Sequence, residues 1–266
     1  MKPRALGFAV ALVATAAWSQ QQPVHLYAAG SLRAAMTEIV RAFTASGEPA
    51  VEATFGPSGL LRERIENGAP ADVFASADMA NPEALARAGR AAPPVIFARN
   101  RLCALVAPGI DVNLDTLLDR MLDPSIKLGT STPKADPSGD YAWQLFAKAD
   151  QLRPGAFKAL DGKALKLTGG ANSPAPPPER SIYALMIAEQ RADIFLTYCT
   201  NAMQAVHQVP GAQSVQIPAA LAVGAEYGLT MLNDAGPGAK RLAGFIVSPT
   251  AQEILERYGF AVGGTP

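Results

Sequence analysis

The chain has 266 residues, of which 49% are hydrophobic and 17% are charged, a composition that fits a folded globular protein and excludes a largely disordered or collagen-like chain. Lys and Arg together number 23, and Asp and Glu also number 23, so the chain lacks the basic excess that neutralises phosphates in nucleic-acid-binding proteins. Two cysteines and two histidines are too few for a structural zinc site. We therefore expect neither a nucleic-acid partner nor direct metal ligands.

Residues 1–19 have the organisation of a secretory signal peptide. Lys2 and Arg4 give a positively charged start, residues 5–17 are apolar, and small residues follow at the positions that a signal peptidase reads. The apolar stretch is too short to span a bilayer comfortably, and no cysteine follows it to carry a lipid. We predict a cleaved signal and a soluble mature protein in the periplasm, with an uncleaved membrane anchor as the alternative.

Downstream of this segment, strand-like runs alternate with helical ones. Residues 24–29 are predicted to form a buried strand, and the apolar positions that follow recur at the spacing of an amphipathic helix as far as Phe43. Further strands, each followed by a helical pattern, are predicted at 51–55, 72–76, 127–129 and 194–198. This alternation is typical of parallel α/β sheets.

Two further runs, 101–107 and 227–232, are apolar and rich in β-forming residues, and neither is followed by a strong helix pattern. We interpret them as strands that cross between two lobes. Helix starts give local signals: Asn81 is the predicted cap of a helix beginning at Pro82, and Ser248 is the predicted cap of the last helix.

Four serines, Ser31, Ser58, Ser138 and Ser181, stand where predicted helices begin, and three of them have a glycine beside them. The N-terminus of a helix has unpaired N–H groups and a partial positive charge, so several such ends meeting at the carboxyl edge of a parallel sheet form an anion site without any cation. Serine is also a favoured helix cap, so one serine alone indicates little. The four together favour an anion-binding site.

The sequence offers no catalytic apparatus. A serine hydrolase would need a Gly-X-Ser-X-Gly elbow and a histidine in reach, but the elbow is absent, His25 lies in a predicted strand and His207 lies in a predicted polar loop. Phosphate-binding and dinucleotide-binding glycine motifs are also absent. We predict a protein that is not an enzyme, with a secreted hydrolase and a protein-binding module as alternatives.

Several motifs together carry a family resemblance. The stretches 28–32 (Ala-Ala-Gly-Ser-Leu), 56–59 (Gly-Pro-Ser-Gly), 68–74 (Gly-Ala-Pro-Ala-Asp-Val-Phe), 137–142, 192–202 and 257–260 are similar to the corresponding stretches of periplasmic molybdate-binding proteins of ABC importers, which are type II periplasmic solute-binding proteins. The resemblance implies an α/β fold of two lobes joined by two crossover strands. Lobe I would comprise 24–103 plus 225–262, and lobe II would comprise 104–224.

The resemblance also implies where the ligand binds. The family's oxyanion contacts fall on Ser31 and Ser58 in lobe I and on Ser138, Ser181 and Tyr198 in lobe II. In the family, the first two residues and the tyrosine donate through hydroxyl groups, whereas the positions of Ser138 and Ser181 act mainly through main-chain N–H groups and usually carry other small or aliphatic residues. Serine at both positions either adds two hydroxyl donors or narrows the pocket.

The function implied by this resemblance is capture of molybdate, and of tungstate, for delivery to an ABC permease with a cytoplasmic ATPase. We expect a monomer that holds no cofactor and contacts the molybdate oxygens through the five residues above. The alternative within the same fold is another small anion or solute, such as sulfate, phosphate or an organic acid.

Charged residues and cysteines leave further alternatives open. Asp136 and Asp140 would repel a dianion within about 4 Å, so we expect them to point away from it. Lys134 and Arg180 are either solvated surface charges or direct contacts. Cys103 and Cys199 (the two cysteines) either form a disulfide bond, which a secreted compartment permits, or remain free thiols.

Overall fold

The computed structural model describes residues 22–174 and 180–262, so the predicted signal peptide, 1–19, lies outside the described residues. Within these ranges, none of the helices combines the length and the apolar character needed to cross a bilayer. The elements up to residue 131 are β1 (Val24–Ala29), a 3-10 turn (Gly30–Leu32), α1 (Arg33–Ala45), β2 (Val51–Gly56), α2 (Ser58–Glu66), β3 (Val73–Ala75), α3 (Ala80–Arg87), β4 (Val95–Val106), α4 (Leu117–Leu122) and β5 (Leu128–Ser131). The later elements are α5 (Pro137–Leu152), α6 (Ala156–Lys163), β6 (Leu165–Thr168), α7 (Ile182–Ala188), β7 (Ile194–Tyr198), α8 (Cys199–Gln208), β8 (Gln213–Gln216), a 3-10 turn (Ala219–Leu221), β9 (Gly224–Met231), α9 (Pro237–Ile246) and α10 (Pro249–Arg257).

The strands form two α/β groups that meet at β4. In the first group, β1 lies between β2 and β3 and is parallel to both, and β3 is antiparallel to β9. In the second group, β5 is parallel to β6 and β7, while β7 and β8 are antiparallel to β4. The strand order is β2-β1-β3-β9-β4-β7-β5-β6, with β8 also paired to β4. The predicted parallel sheets are therefore present, with antiparallel strands where the two groups join.

β4 changes its partners along its length. Its first part, up to Arg101, pairs with β9, and its second part, from Leu102, pairs with β7. Arg101 lies opposite Gly224, the first residue of β9. The chain therefore passes between the two strand groups twice, once along β4 and once at the start of β9, and the two passages lie next to each other in the sheet.

The two predicted crossover runs, 101–107 and 227–232, overlap the later parts of β4 and β9, but these strands begin earlier, at Val95 and Gly224, and end one residue before the predicted limits, at Val106 and Met231. The division into lobe I (24–103 plus 225–262) and lobe II (104–224) remains our proposal, and the change of pairing along β4 supports it.

Two helix caps show how local chemistry sets the helix starts. Ser248 caps α10 as predicted, because its hydroxyl accepts a hydrogen bond from the N–H of Ala251 at 3.5 Å. The predicted cap at Asn81 is wrong, because α3 begins at Ala80, two residues before the predicted start at Pro82. There the carboxylate of Asp78 accepts the N–H of Asn81 at 3.1 Å, and an anion is favourable at a helix N-terminus.

One cluster of apolar side chains runs through both strand groups. On one side it includes Leu26 of β1 with Met36 and Ile39 of α1, and on the other it includes Leu145 and Phe146 of α5. All five side chains are fully buried. Since burial of a side chain of this size contributes about 1.5–3 kcal/mol, this cluster fixes the helices against the sheet.

α8 begins at a covalent link to β4. Cys199, its first residue, forms a disulfide bond with Cys103 of β4, and the two Cα atoms are 4.8 Å apart. The alternative of two free thiols is therefore wrong. His207 lies near the end of α8, so the loop predicted for it is also wrong: Ala202 and Ala205 give the helix an apolar buried face.

Candidate functional site

The two strand groups contact each other through loops that follow the carboxyl ends of their parallel strands. The N–H of Gly59, in the first turn of α2, donates to the carbonyl oxygen of Ala135 at 3.0 Å, just before α5. The hydroxyl of Tyr198, at the end of β7, donates to the carbonyl oxygen of Ala77 at 3.2 Å, in the loop after β3. In open α/β sheets this edge is the usual location of a ligand site.

Three of the five predicted contact residues, Ser31, Ser58 and Tyr198, come together here. The hydroxyl of Ser58 accepts the N–H of Ala77 at 3.1 Å, and the same Ala77 accepts the Tyr198 hydroxyl. The hydroxyl of Ser31 lies 2.9 Å from that of Tyr227, whose ring centroid is 5.6 Å from the ring centroid of Tyr198. Hydroxyl groups from both strand groups therefore share one network.

Ser138 is the second residue of α5 and is fully buried. Its N–H donates to the carboxylate of Asp136 at 3.0 Å, and its hydroxyl has no hydrogen-bond partner among the described residues. A buried hydroxyl without a partner is unfavourable and uncommon in a folded protein. This side chain therefore retains its capacity to donate to a ligand oxygen.

Ser181 makes its observed contacts within the second strand group. Its hydroxyl accepts the N–H of Ala184 at 3.4 Å as the cap of α7, and its own N–H donates to Gln208 of α8 at 2.9 Å. Its position at a helix start is as predicted. Both of these polar groups are engaged in capping and packing, so a ligand role for Ser181 needs a change of partner and stays a prediction.

Buried tyrosines supply neutral donors around the network. Burial raises the pKa of Tyr198 and of Tyr227, and neighbouring Tyr141 adds to the rise in both. Burial also raises the pKa of Tyr141, with further contributions from Asp78 and Asp140. The hydroxyl groups therefore keep their protons across the neutral pH range. The Tyr198 proton is donated to the carbonyl oxygen of Ala77, so its donation to an anion needs a change of partner and stays a prediction.

The two carboxylates near Ser138 have different arrangements. Asp140 accepts the N–H of Lys134 at 2.9 Å, which turns it toward the loop before α5. Asp136 caps α5 and accepts the N–H of Ser138, so its carboxylate lies beside a predicted contact, and the expectation that it points away from a bound dianion stays a prediction. Lys134 and Arg180 are both exposed. This exposure agrees with the alternative in which they are solvated surface charges.

Residues that the sequence analysis did not single out complete the network. Asn100 of β4 donates through Nδ2 to the hydroxyl of Tyr227 at 3.4 Å and to that of Thr200 at 2.9 Å. Tyr227 lies in a run that was predicted only as a crossover strand. A polar side chain within or beside an apolar crossover run is the signal that could have identified both residues.

A family model described as bacterial extracellular solute-binding protein matches residues 24–261. The chain belongs to this family. The match includes every residue of the network above and spans both strand groups. The resemblance predicted from the motifs is thereby confirmed, and the protein is a solute-binding protein of the type similar to molybdate-binding proteins.

Individual proteins that are similar to this chain agree with this assignment. The molybdate-binding protein ModA of Escherichia coli is 27% identical to this chain, over 97% of this chain and 95% of the relative. Among solved structures, the periplasmic molybdate-binding protein of Azotobacter vinelandii has a TM-score of 0.72 at 20% identity, covering 91% of this chain and 100% of that one. The sulfate-binding protein SubI of Mycobacterium tuberculosis has a TM-score of 0.75 at 17% identity, covering 90% and 86%. The two structures confirm the two-lobed α/β fold, and the relatives are solute-binding proteins rather than enzymes.

Proposed function

We propose that this solute-binding protein captures molybdate, and tungstate, between its two lobes. It then delivers the anion to an ABC permease with a cytoplasmic ATPase. The proposal includes export by the cleaved signal, periplasmic location, a monomeric state, no cofactor and no catalysed reaction. The observation that carries it is the network in which Ser58 and Tyr198, from opposite strand groups, meet on Ala77.

The chemistry of the donors supports an oxyanion. The Ser58 hydroxyl accepts from Ala77 through its oxygen, which leaves its own proton available to a ligand. Ser138 adds a buried hydroxyl without a partner in the described part of the chain. The N-termini of α2 and α5 meet through Gly59 and Ala135, so the partial positive ends of two helices point to the same region. An anion is the ligand that this set of neutral donors stabilises best.

The test is thermal unfolding of the protein with one oxyanion added at a time. Molybdate or tungstate at 100 times its dissociation constant is expected to add about 2.7 kcal/mol to the free energy of unfolding. For a chain of this length, that corresponds to a rise in melting temperature of about 5–10 °C. Sulfate and phosphate at the same concentrations are expected to give no comparable rise. Stabilisation by sulfate or phosphate alone would contradict the assignment to molybdate.

Replacing Tyr198 with phenylalanine tests the proposed contact. The change keeps the ring between Tyr141 and Tyr227 and removes one hydroxyl donor. We expect molybdate binding to weaken by about 0.5–3 kcal/mol, the range for a hydrogen bond lost to neutral or charged acceptors. Isothermal titration calorimetry measures the change.

Tyr258→Phe is the matched control, because Tyr258 follows α10 and its hydroxyl donates to Glu38 on the protein surface. The affinity of the Tyr258→Phe variant for molybdate should equal that of the wild type. Equal affinity in the Tyr198→Phe variant would show that Tyr198 does not contact the ligand.

A further inference from the structure

The amide that the resemblance assigns to the ligand in α5 is occupied by a side chain of the protein itself. Asp136 is the residue before α5, and its Oδ1 accepts the N–H of Ser138 at 3.0 Å. A carboxylate at a helix N-terminus is favourable, so this capping bond forms without any ligand. An oxyanion that takes the Ser138 N–H must therefore displace a carboxylate or share the amide with it.

The surroundings of Asp136 leave its carboxylate little room to move away. Gly169, in the loop after β6, has a φ of +75°, and a Cβ atom there would lie 2.5 Å from both Cβ and Oδ2 of Asp136. Ser131 of β5 lowers the pKa of the carboxylate, and its hydroxyl lies 2.9 Å from that of Thr168. The carboxylate thus remains beside the α5 N-terminus when a ligand arrives.

The ionisable groups that face Asp136 come from several elements. Asp140 lies on the same helix, Asp78 lies in the loop after β3, and both raise its pKa. The phenol groups of Tyr183 on α7, Tyr198 on β7 and Tyr227 on β9 also interact with it electrostatically, and burial keeps all three neutral.

Burial has the largest effect and raises the pKa of Asp136 from 3.8 to about 6, although Ser138, through its N–H, and Ser131 lower it. At pH 8 the group is therefore ionised in the ligand-free protein, and at pH 5 most molecules hold it protonated.

We infer that an oxyanion binds at this site together with one proton, which is held between Asp136 and a ligand oxygen. The inference rests on the proposed function. Two negative groups that share one helix N-terminus in a buried region repel each other strongly, and a proton on one of them converts the repulsion into a hydrogen bond. For molybdate, the proton comes from solvent and resides on Asp136.

The test is calorimetric titration of the full-length mature protein with molybdate at pH 5, 6, 7 and 8, each in two buffers of different ionisation enthalpy. For the wild type, the affinity for molybdate should change by less than about twofold between pH 5 and pH 6 and fall about 50-fold between pH 6 and pH 8. Proton uptake per molybdate should approach one at pH 8. Asp136→Asn keeps an oxygen that can accept the Ser138 N–H but cannot titrate, so its affinity should be nearly independent of pH, with no proton uptake.

Asp140→Asn is the matched control, because Asp140 lies in the first turn of α5, close to Asp136, and its pKa is also raised, but its carboxylate accepts from Lys134 rather than from Ser138. This variant should retain both the fall in affinity toward high pH and the proton uptake, with the midpoint of the fall at a somewhat lower pH, because Asp140 raises the pKa of Asp136. Molybdate binding by the wild type with constant affinity and no proton uptake would overturn the inference and leave the proposed function intact. Retention of the full pH dependence in Asp136→Asn would assign the proton elsewhere and also overturn it. Failure of the wild type to bind molybdate at any pH would overturn the proposed function and this inference together.

Discussion

Alanine in place of Gly59 is expected to weaken molybdate binding about 100-fold or more. A Cβ atom at this position would lie 2.2 Å from the carbonyl oxygen of Lys134 and 2.9 Å from that of Ala135, and both are main-chain atoms. The two lobes would therefore have to remain further apart, and a ligand that bridges them would lose its contacts on one side. Loss of two hydrogen bonds to a charged acceptor, at about 1.5 kcal/mol or more each, corresponds to this factor.

Calorimetry measures the affinity of this variant, and small-angle X-ray scattering measures whether molybdate still reduces the radius of gyration. We expect a contraction in the wild type and little or none in Gly59→Ala. Gly162→Ala is the matched control, since Gly162 also lies in a helix, α6, and a Cβ atom there would meet no atom within 4 Å. The control should bind like the wild type and gain up to about 1 kcal/mol of stability from its better helix propensity. Normal binding and full contraction by Gly59→Ala would show that the ligand-bound lobes do not approach at this point.

Removing the disulfide bond should produce the second large effect, on stability rather than on affinity. The bond joins Cys103 to Cys199, which are 96 residues apart in sequence. Closing a loop of this length restricts the unfolded chain, and loss of such a bond typically costs about 2–5 kcal/mol. The variant Cys103→Ala with Cys199→Ala should show this loss in urea-induced unfolding.

Affinity for molybdate should change by less than about threefold in the same double variant. Tyr198, next to Cys199, is also held by β7, where it pairs with Leu102 of β4. Wild-type protein unfolded with and without a reducing agent provides the control, because reduction should reproduce the stability of the double variant. Unchanged unfolding in both comparisons would show that the bond contributes nothing to stability.

Elements with strong local signals were predicted well from the sequence. β1 and β7 have the predicted limits, 24–29 and 194–198, because each is a short buried strand with a helix immediately after it. Ser248 caps its helix as predicted, because the capping interaction involves residues only three positions apart. β8, at Gln213–Gln216, was not predicted, since its polar sequence resembles a loop and only pairing with β4 makes it a strand.

The candidate site shows why local signals are not sufficient. The pattern of serines at helix starts supplied Ser31 and the resemblance supplied Tyr198, but the partner of Ser31, Tyr227, is 196 residues away in the sequence. The burial of Asp136 depends on the loop around Gly169, which only the folded chain brings to it. Contacts of this kind are set by tertiary packing, and no periodicity or spacing in the sequence encodes them.

The pairing of Arg101 with Gly224 limits the ways in which the two lobes can move. The two connections between the lobes, one in β4 and one at the start of β9, lie side by side because Arg101 and Gly224 are paired. Together they approximate a single hinge axis. Sliding of one lobe along the other would shear both connections, whereas rotation about this axis bends each one only slightly. We therefore expect the opening of the lobes to have essentially one degree of freedom. A single distance between two fluorophores, one on the rim of each lobe, would define the whole opening angle at every moment of a capture and release cycle.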